Sequence, residues 1–190
     1  MSRKSEIAKK LVGMAKELVA EDGGASIASK LKTDLTGVPV TAEDFNRLPE
    51  KLYTSFPAAY LDSIKEHGIG AEVKENANVG KGFFVAVDVS NSQEYANGHG
   101  GKLATYAVDK SALSGHLFYD GNDYYTMTYL AALAGEDIED EDYDTDLIDE
   151  LTEEHEDDPD EVKEAVWNEY NLNLCFYVDC VVPFSSLENC

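Results

Sequence analysis

The stretch that decides the fold runs from Lys51 to Leu113. Its informative segments, in chain order, are Lys51-Leu-Tyr-Thr-Ser55, Tyr60-Leu-Asp-Ser-Ile-Lys-Glu-His-Gly68, Gly82-Phe-Phe-Val-Ala-Val-Asp88, Gln93-Glu-Tyr-Ala96 and Gly101-Lys-Leu-Ala-Thr-Tyr-Ala-Val-Asp109. Runs rich in aromatic and β-branched residues favour strands, and a polar run that closes on glycine is typical of a helix end. The stretch therefore predicts a strand, a helix, a loop, a second strand, a short helix and a third strand.

Helices are predicted on the N-terminal side of this stretch. Apolar residues recur at helical spacing within residues 3–20, and a second helix is expected around Ile27 to Leu35. Thr41-Ala-Glu-Asp44 has the arrangement of a capping box, in which a threonine side chain accepts a hydrogen bond from the backbone three residues on. A short helix is therefore expected to begin there.

The C-terminal third changes abruptly in composition. Tyr124 to Ala134 is apolar and aromatic, which predicts a buried helix. From Glu136 to Glu164 nearly every second residue is acidic, and Lys163 is the only lysine or arginine. Pro159 stands where a helix would begin, so we expect two acidic helices before a final strand, Leu174 to Val182.

The charge of the chain restricts its partners. Fifteen basic side chains against 38 acidic ones leave a formal net charge of −23. Such a surface repels nucleic acid and anionic membranes, so we expect direct binding to neither, whereas a basic protein partner would suit it. The three cysteines and four histidines show no ligand spacing, so no metal site is expected. Free thiols and the absence of a signal-peptide pattern favour a cytoplasmic location.

The block from Tyr53 to Asp109 resembles the catalytic core of ADP-ribosyltransferases, most closely the diphtheria-toxin-like branch. That branch has a Tyr-His-Gly-Thr strand end, a helix with Tyr-x-Asp-Ser-Ile, a Gly-Phe-Tyr-Ser-Thr-Asp strand and a second tyrosine on the next helix. The counterparts here are Tyr53-Thr-Ser55, Tyr60-Leu-Asp-Ser-Ile64, Gly82-Phe-Phe-Val-Ala-Val-Asp88 and Tyr95. The resemblance implies an α+β fold: an ADP-ribosyltransferase-like split β-sheet with N-terminal helices and an acidic helical insert.

The resemblance also implies a site for NAD, which is a substrate of that family. Two aromatic rings would hold the nicotinamide, here Phe84 and Tyr95, and the first strand would hold the ribose with Tyr53 and Thr54, where Thr54 replaces the family histidine. A late carboxylate, here Asp179, would stabilise the cationic sugar as nicotinamide leaves. In an alternative register Leu174 takes that place and no acid is present.

Two functions follow from these expectations. The first is an NAD-dependent mono-ADP-ribosyltransferase that modifies a host or rival macromolecule. The alternative is a catalytically inactive relative that inhibits a basic protein partner through its acidic surface, as nucleic-acid mimics encoded by phages do. Each site residue also has a plain structural interpretation: the aromatic rings as core residues, Thr54 as turn chemistry and Asp179 as a surface acid.

The organisation expected from the sequence has four parts. They are an N-terminal helical segment (1–50), the transferase-like core (51–135), the acidic helical insert (136–170) and a C-terminal core strand (171–190).

Overall fold

The computed structural model describes residues 38–71, 82–97, 101–121, 123–134, 144–155 and 158–190. The helices expected within residues 3–20 and around Ile27 to Leu35 lie outside these ranges. The chain divides into two compact units. Among the described residues, the sheet unit comprises those from Pro39 to Tyr119 and from Leu172 to Cys190, and the helical unit comprises Val38 and those from Asp120 to Asn171.

The described residues of the sheet unit form six strands, all paired antiparallel, in the order β4-β5-β2-β1-β3-β6. Together with the helices this places the protein in the α+β class, as expected. The strands are β1 (Lys51–Pro57), β2 (Phe83–Ala86), β3 (Leu103–Asp109), β4 (Leu117–Tyr119), β5 (Cys175–Val178) and β6 (Leu187–Asn189).

The final strand is shorter than the sequence predicts. β5 ends at Val178, whereas strand structure was expected as far as Val182. Asp179 donates its backbone N–H to the carbonyl of His116, and Val182 then pairs with Ile69 as an isolated bridge. The prediction was wrong beyond Val178, because these separate partners draw the chain away from the direction of β5.

Three short α-helices lie in the described part of the sheet unit: α1 (Ala42–Arg47), α2 (Leu61–His67) and α3 (Val89–Asn97). The expected cap of α1 is confirmed, since Asp44 donates its backbone N–H to the Thr41 hydroxyl at 3.0 Å. α2 ends at Gly68, whose φ of 84° lies in the left-handed region that glycine enters at no steric cost.

The two faces of the sheet differ because side chains alternate along each strand. In β1 the buried residues are Leu52, Thr54 and Phe56, and the residues between them are half-buried. On the buried face, Tyr119 donates its hydroxyl to Asp44, so this core contains a satisfied carboxylate. The opposite face carries Tyr53 and Ser55, and α3 packs there, so we call it the α3 face.

The described part of the helical unit contains α4 (Tyr124–Ala134), α5 (Thr145–Glu154) and α6 (Pro159–Tyr170). Pro159 occupies the first turn of α6, as expected, and Asp158 caps that helix. The core of this unit includes Tyr129 of α4 and Trp167 of α6, whose ring centroids lie 5.3 Å apart. α4 therefore groups with the two acidic helices, whereas the sequence had suggested a boundary at residue 136.

Among the helices that the structure describes, none is both long enough and apolar enough to cross a bilayer.

Candidate functional site

The strand register brings several predicted site residues onto the α3 face. Tyr53 pairs with Ala86, and Phe84 pairs with Tyr177. Paired residues project from the same face of a sheet, and residues two apart in one strand do so as well. Tyr53, Phe84 and Tyr177 therefore share the α3 face, together with Ser55.

Three aromatic rings meet on this face. The ring centroids of Phe84 and Tyr95 lie 4.9 Å apart at an interplanar angle of 39°, and those of Phe84 and Tyr177 lie 5.9 Å apart at 63°. Tyr177 is buried, Phe84 is half-buried and Tyr95 is 49% exposed. Phe84 thus links a buried ring to one that reaches solvent.

A chain of side-chain hydrogen bonds holds α3 against the sheet. Ser92 donates to Ser55 at 2.9 Å, Ser55 and Thr105 share a hydrogen bond of 3.0 Å, and Gln93 donates to Thr105 at 3.2 Å. Ser92 and Thr105 are buried, so their hydroxyls form hydrogen bonds within the protein in place of hydrogen bonds to water. The network sets the position of α3 and hence of Tyr95 over Phe84.

The beginning of α3 is fixed by Asp88. Its carboxylate accepts the backbone N–H of Ser90 at 2.8 Å and also the Ser90 hydroxyl. These two hydrogen bonds hold the pKa of Asp88 below its usual range, because both favour the ionised form. Asp88 is part of the Gly82–Asp88 segment of the resemblance, and here it positions the helix that carries Tyr95.

The predicted carboxylate lies just beyond the end of β5. Asp179 Oδ1 is 2.9 Å from His116 Nδ1, and both side chains are about half exposed. Burial raises the pKa of Tyr177 to about 12, and the charge of Asp179 contributes to the same shift. Asp179 lies two residues after Tyr177, and its negative charge disfavours the Tyr177 phenolate.

Thr54 is not part of this arrangement. Its side chain is 2% exposed and points to the buried face, because it alternates with Tyr53 and Ser55 in β1. The structure therefore does not bring Thr54 together with Phe84 and Tyr95. Tyr53 does lie on the α3 face, and Ser55, which the sequence reasoning passed over, lies there too.

The alternative register of the resemblance places Leu174 at the acid position. Leu174 directly precedes β5 and is fully buried, so that end of the strand offers an apolar side chain and no charge. Sequence reasoning also missed Tyr177 and the His116 partner of Asp179. Their roles depend on strand pairing over more than 60 residues, which leaves no local signal.

The two aromatic rings are closer together than the resemblance implies. A planar ring held between two others needs a gap of roughly 3.5–4 Å on each side, or about 7–8 Å in all. The Phe84 and Tyr95 centroids are 4.9 Å apart, which corresponds to direct contact. A nicotinamide ring could enter only after Tyr95 swings away, and its exposure makes that side chain the one with room to move.

The described residues contain no group of three or more histidine, cysteine or acidic side chains placed to hold a metal ion. Comparison of the whole chain with protein-family models, with curated proteins and with solved structures gave no match. The geometry of the α3 face is thus the basis for a functional assignment.

Proposed function

We propose that this protein binds NAD on the α3 face and acts as a mono-ADP-ribosyltransferase toward a basic target protein of a host or rival cell. The observation that carries the proposal is the contact between Phe84 of β2 and Tyr95 of α3, with Tyr177 and Asp179 beside it. The resemblance assigns Phe84 and Tyr95 to nicotinamide and Asp179 to the ribosyl cation.

The aromatic cluster suits the nicotinamide of NAD. Its ring is flat and cationic, and the face of an aromatic side chain attracts a cation through its quadrupole. Tyr95, at the solvent side, would first move away from Phe84 and then cover the nicotinamide ring after it enters. Phe84 supplies the fixed surface beneath that ring. The buried Tyr177 holds Phe84 in place by edge contact.

Asp179 supplies the negative charge that the reaction requires. The carbon–nitrogen bond between ribose and nicotinamide breaks, the electron pair leaves with nicotinamide, and positive charge develops on the ribose. A carboxylate nearby stabilises that charge, which exists only in the transition state and so accelerates the step. A nucleophilic side chain of the target then attacks the same carbon and loses its proton.

Calorimetric titration of NAD tests binding. Wild-type protein is expected to bind NAD, and Tyr95→Ala to lose most of that affinity. Tyr60→Ala is the matched control, because Tyr60 is 57% exposed in the same unit but is not part of the aromatic cluster. Absence of heat with wild-type protein, or equal losses in both variants, would contradict the proposal.

Labelled NAD tests transfer. Label is expected on protein when the enzyme is incubated with a cell lysate, and Asp179→Asn should reduce it by a factor of at least about 100, within the range of electrostatic catalytic effects. If wild-type protein binds NAD but labels no protein, the proposed NAD site stands and the proposed transferase activity is contradicted.

A second candidate, inhibition by binding alone, is favoured by one observation. Thr54, which replaces the family histidine, faces the core, and in the alternative register the acid position is occupied by the fully buried Leu174. In that case the acidic helices form the surface that binds the partner. A basic partner would be captured from a lysate at low salt and released by high salt, with no dependence on NAD.

A further inference from the structure

The helical unit carries a cluster of three tyrosines remote in sequence from the α3 face. Tyr124 and Tyr125 begin α4, and Tyr170 ends α6. The ring centroids of Tyr124 and Tyr125 are 5.6 Å apart in an edge arrangement, and those of Tyr125 and Tyr170 are 5.0 Å apart. Tyr170 is buried, whereas Tyr124 is 43% exposed and Tyr125 is 38% exposed.

Carboxylates lie beside these rings. Asp144 accepts the Tyr170 hydroxyl at 2.6 Å. Asp144 caps α5, and Asp146 lies in the first turn of that helix. Burial raises the pKa of Tyr124, and the charges of Asp144, Tyr125 and Asp146 raise it further. Burial and Asp144 likewise raise the pKa of Tyr170, with a smaller contribution from Glu169.

Few cations are available to these carboxylates within the described helical unit. Lys163 is its only lysine or arginine, and it pairs with Asp160. His155 Nδ1 lies 3.1 Å from Glu161 Oε2. The exposed acidic residues of this part of the chain are Asp146, Asp149, Glu150, Glu153, Glu154, Asp158, Asp160, Glu161, Glu164 and Glu169.

We propose that Tyr124 and Tyr125, with Asp144 and Asp146 beside them, bind a lysine or arginine side chain presented by a basic segment of a partner protein. We call this the tyrosine site. The exposed rings offer faces for a cation–π contact, which is worth about 0.5–1 kcal/mol at an exposed position and about 2 kcal/mol when desolvated. The carboxylates add charge attraction to the same ligand.

Charge decides between the possible occupants. Nucleic acid is repelled by this unit. A second copy of this chain carries the same net charge of −23 and is repelled as well. A basic protein segment is attracted, and Tyr124 gives it a specific contact that a uniformly acidic surface lacks.

The tyrosine site deepens the basic-target part of the proposed function, but it requires no NAD. Its test therefore uses the full chain without nucleotide, and failure of NAD binding leaves it standing. The probes are an acetylated hexaarginine peptide, an acetylated hexalysine peptide and a neutral glycine–serine peptide of equal length, titrated by calorimetry.

Wild-type protein is expected to bind both basic peptides and not the neutral one. Tyr124→Leu should weaken hexaarginine binding about three- to tenfold, in line with a cation–π contact. Tyr124→Phe keeps the ring face and should bind within about twofold of wild type. Tyr125→Leu provides a second variant, and Tyr60→Leu, in the sheet unit, is the matched control and should bind as wild type does.

Several outcomes would overturn the inference. If the Tyr124→Leu and Tyr125→Leu variants bind the peptides as tightly as wild type does, charge alone holds the peptide. Equal losses in Tyr124→Phe and Tyr124→Leu would assign the contact to the hydroxyl. Failure of wild-type protein to bind either basic peptide would remove the site. Self-association that disappears in Tyr124→Leu, seen by sedimentation, would make a second copy the occupant.

Discussion

Tyr170, the last residue of α6, donates its hydroxyl to Asp144, the residue that caps α5, at 2.6 Å. Asp144 also accepts the backbone N–H of Leu147 at 3.2 Å, and its own N–H donates to Thr128 of α4 at 3.1 Å. One residue thus connects all three described helices of the helical unit. Its hydrogen bonds, together with the packing of Tyr129 against Trp167, connect α4 to the acidic helices.

Replacing Asp144 should therefore destabilise the helical unit more than removing an ordinary helix cap. Asp144→Ala is expected to lose about 2–4 kcal/mol, the sum of a lost cap and a buried phenol without its acceptor. Asp158→Ala, which removes only the cap of α6, should lose about 0.5–2 kcal/mol. Urea unfolding followed by Trp167, the single tryptophan of the chain, measures both losses. Equal losses would show that the link to Tyr170 contributes little.

The contact between Phe84 and Tyr95 leads to a prediction about NAD. Because the rings touch at 4.9 Å, the proposed NAD site must open before nicotinamide enters, and NAD affinity should depend on the ring faces and not on the tyrosine hydroxyl. Tyr95→Phe is expected to keep NAD affinity within about threefold, whereas Phe84→Leu should weaken it about tenfold or more. Strong loss in Tyr95→Phe would assign the contact to the hydroxyl group.

Salt should also affect NAD binding. NAD carries a net negative charge and the protein a formal charge of −23, so their repulsion is screened as ionic strength rises. Affinity is therefore expected to increase between low and physiological salt, the opposite of the trend for a basic peptide at the tyrosine site. Parallel calorimetric titrations at two salt concentrations distinguish the two sites.

Titration of Tyr177 gives a prediction at high pH. Its folded pKa of about 12 exceeds the ordinary value of 10.0 because burial, and then Asp179, disfavour the phenolate. The folded state therefore binds its proton more tightly. The resulting stability is fully present below pH 10 and is lost as pH rises through about 12, by at most about 1.4 kcal/mol per pH unit.

The measurement compares unfolding free energy against pH for wild type and Tyr177→Phe. The difference between them should be flat below pH 10 and should decline above it. Asp179→Asn should lower the pKa of Tyr177, seen by phenolate absorbance, whereas Asp109→Asn should not, since Asp109 pairs with Lys51. A pKa unchanged in Asp179→Asn would show that the carboxylate does not lie near the aromatic cluster.

Gly82 is expected to tolerate no side chain. A Cβ atom there would lie 1.8 Å from the carbonyl oxygen of Val178 and 2.6 Å from Cζ of Tyr177, so β2 and β5 would have to separate. Gly82→Ala should cost more than about 3 kcal/mol and should disturb the aromatic cluster.

Gly101 is the matched control for this substitution. It has a φ of 91°, and no atom of the described residues lies within 4 Å of the position that a Cβ would take. Gly101→Ala therefore costs only backbone strain, about 1–2 kcal/mol. Urea unfolding followed by circular dichroism compares the two variants. A cost for Gly82→Ala no greater than that for Gly101→Ala would contradict the close approach of Tyr177.

Local sequence patterns predicted most of the elements that the structure describes. β3 (Leu103–Asp109) lies within the expected Gly101–Asp109 segment, α4 spans Tyr124–Ala134 with the expected bounds, and Pro159 opens α6. Each of these signals acts within a few residues: β-branched and aromatic runs, an apolar helical stretch, and a proline that fits the first helical turn. β4 and β6 went unpredicted because three residues are too few to show a period.

The candidate site was less accessible to sequence reasoning. Phe84 and Tyr95 lie eleven residues apart and both belong to one recognisable block, so the sequence could suggest that they act together. Thr54 belongs to the same block but faces the core. Side chains alternate along β1, and its register places Tyr53 and Ser55 on the α3 face. A shift of one residue in a strand moves a side chain to the other face.

The amino-acid sequence by itself determined most of the helix and strand segments and the concentration of acidic charge after Glu136, and the resemblance that it carries implied the α+β class. Only the tertiary structure decided that Tyr177 lies against Phe84, that His116 holds Asp179 and that Asp144 connects three helices. The physical reason is range: propensities and caps depend on neighbours along the chain, whereas these contacts depend on which segments pair and in which register.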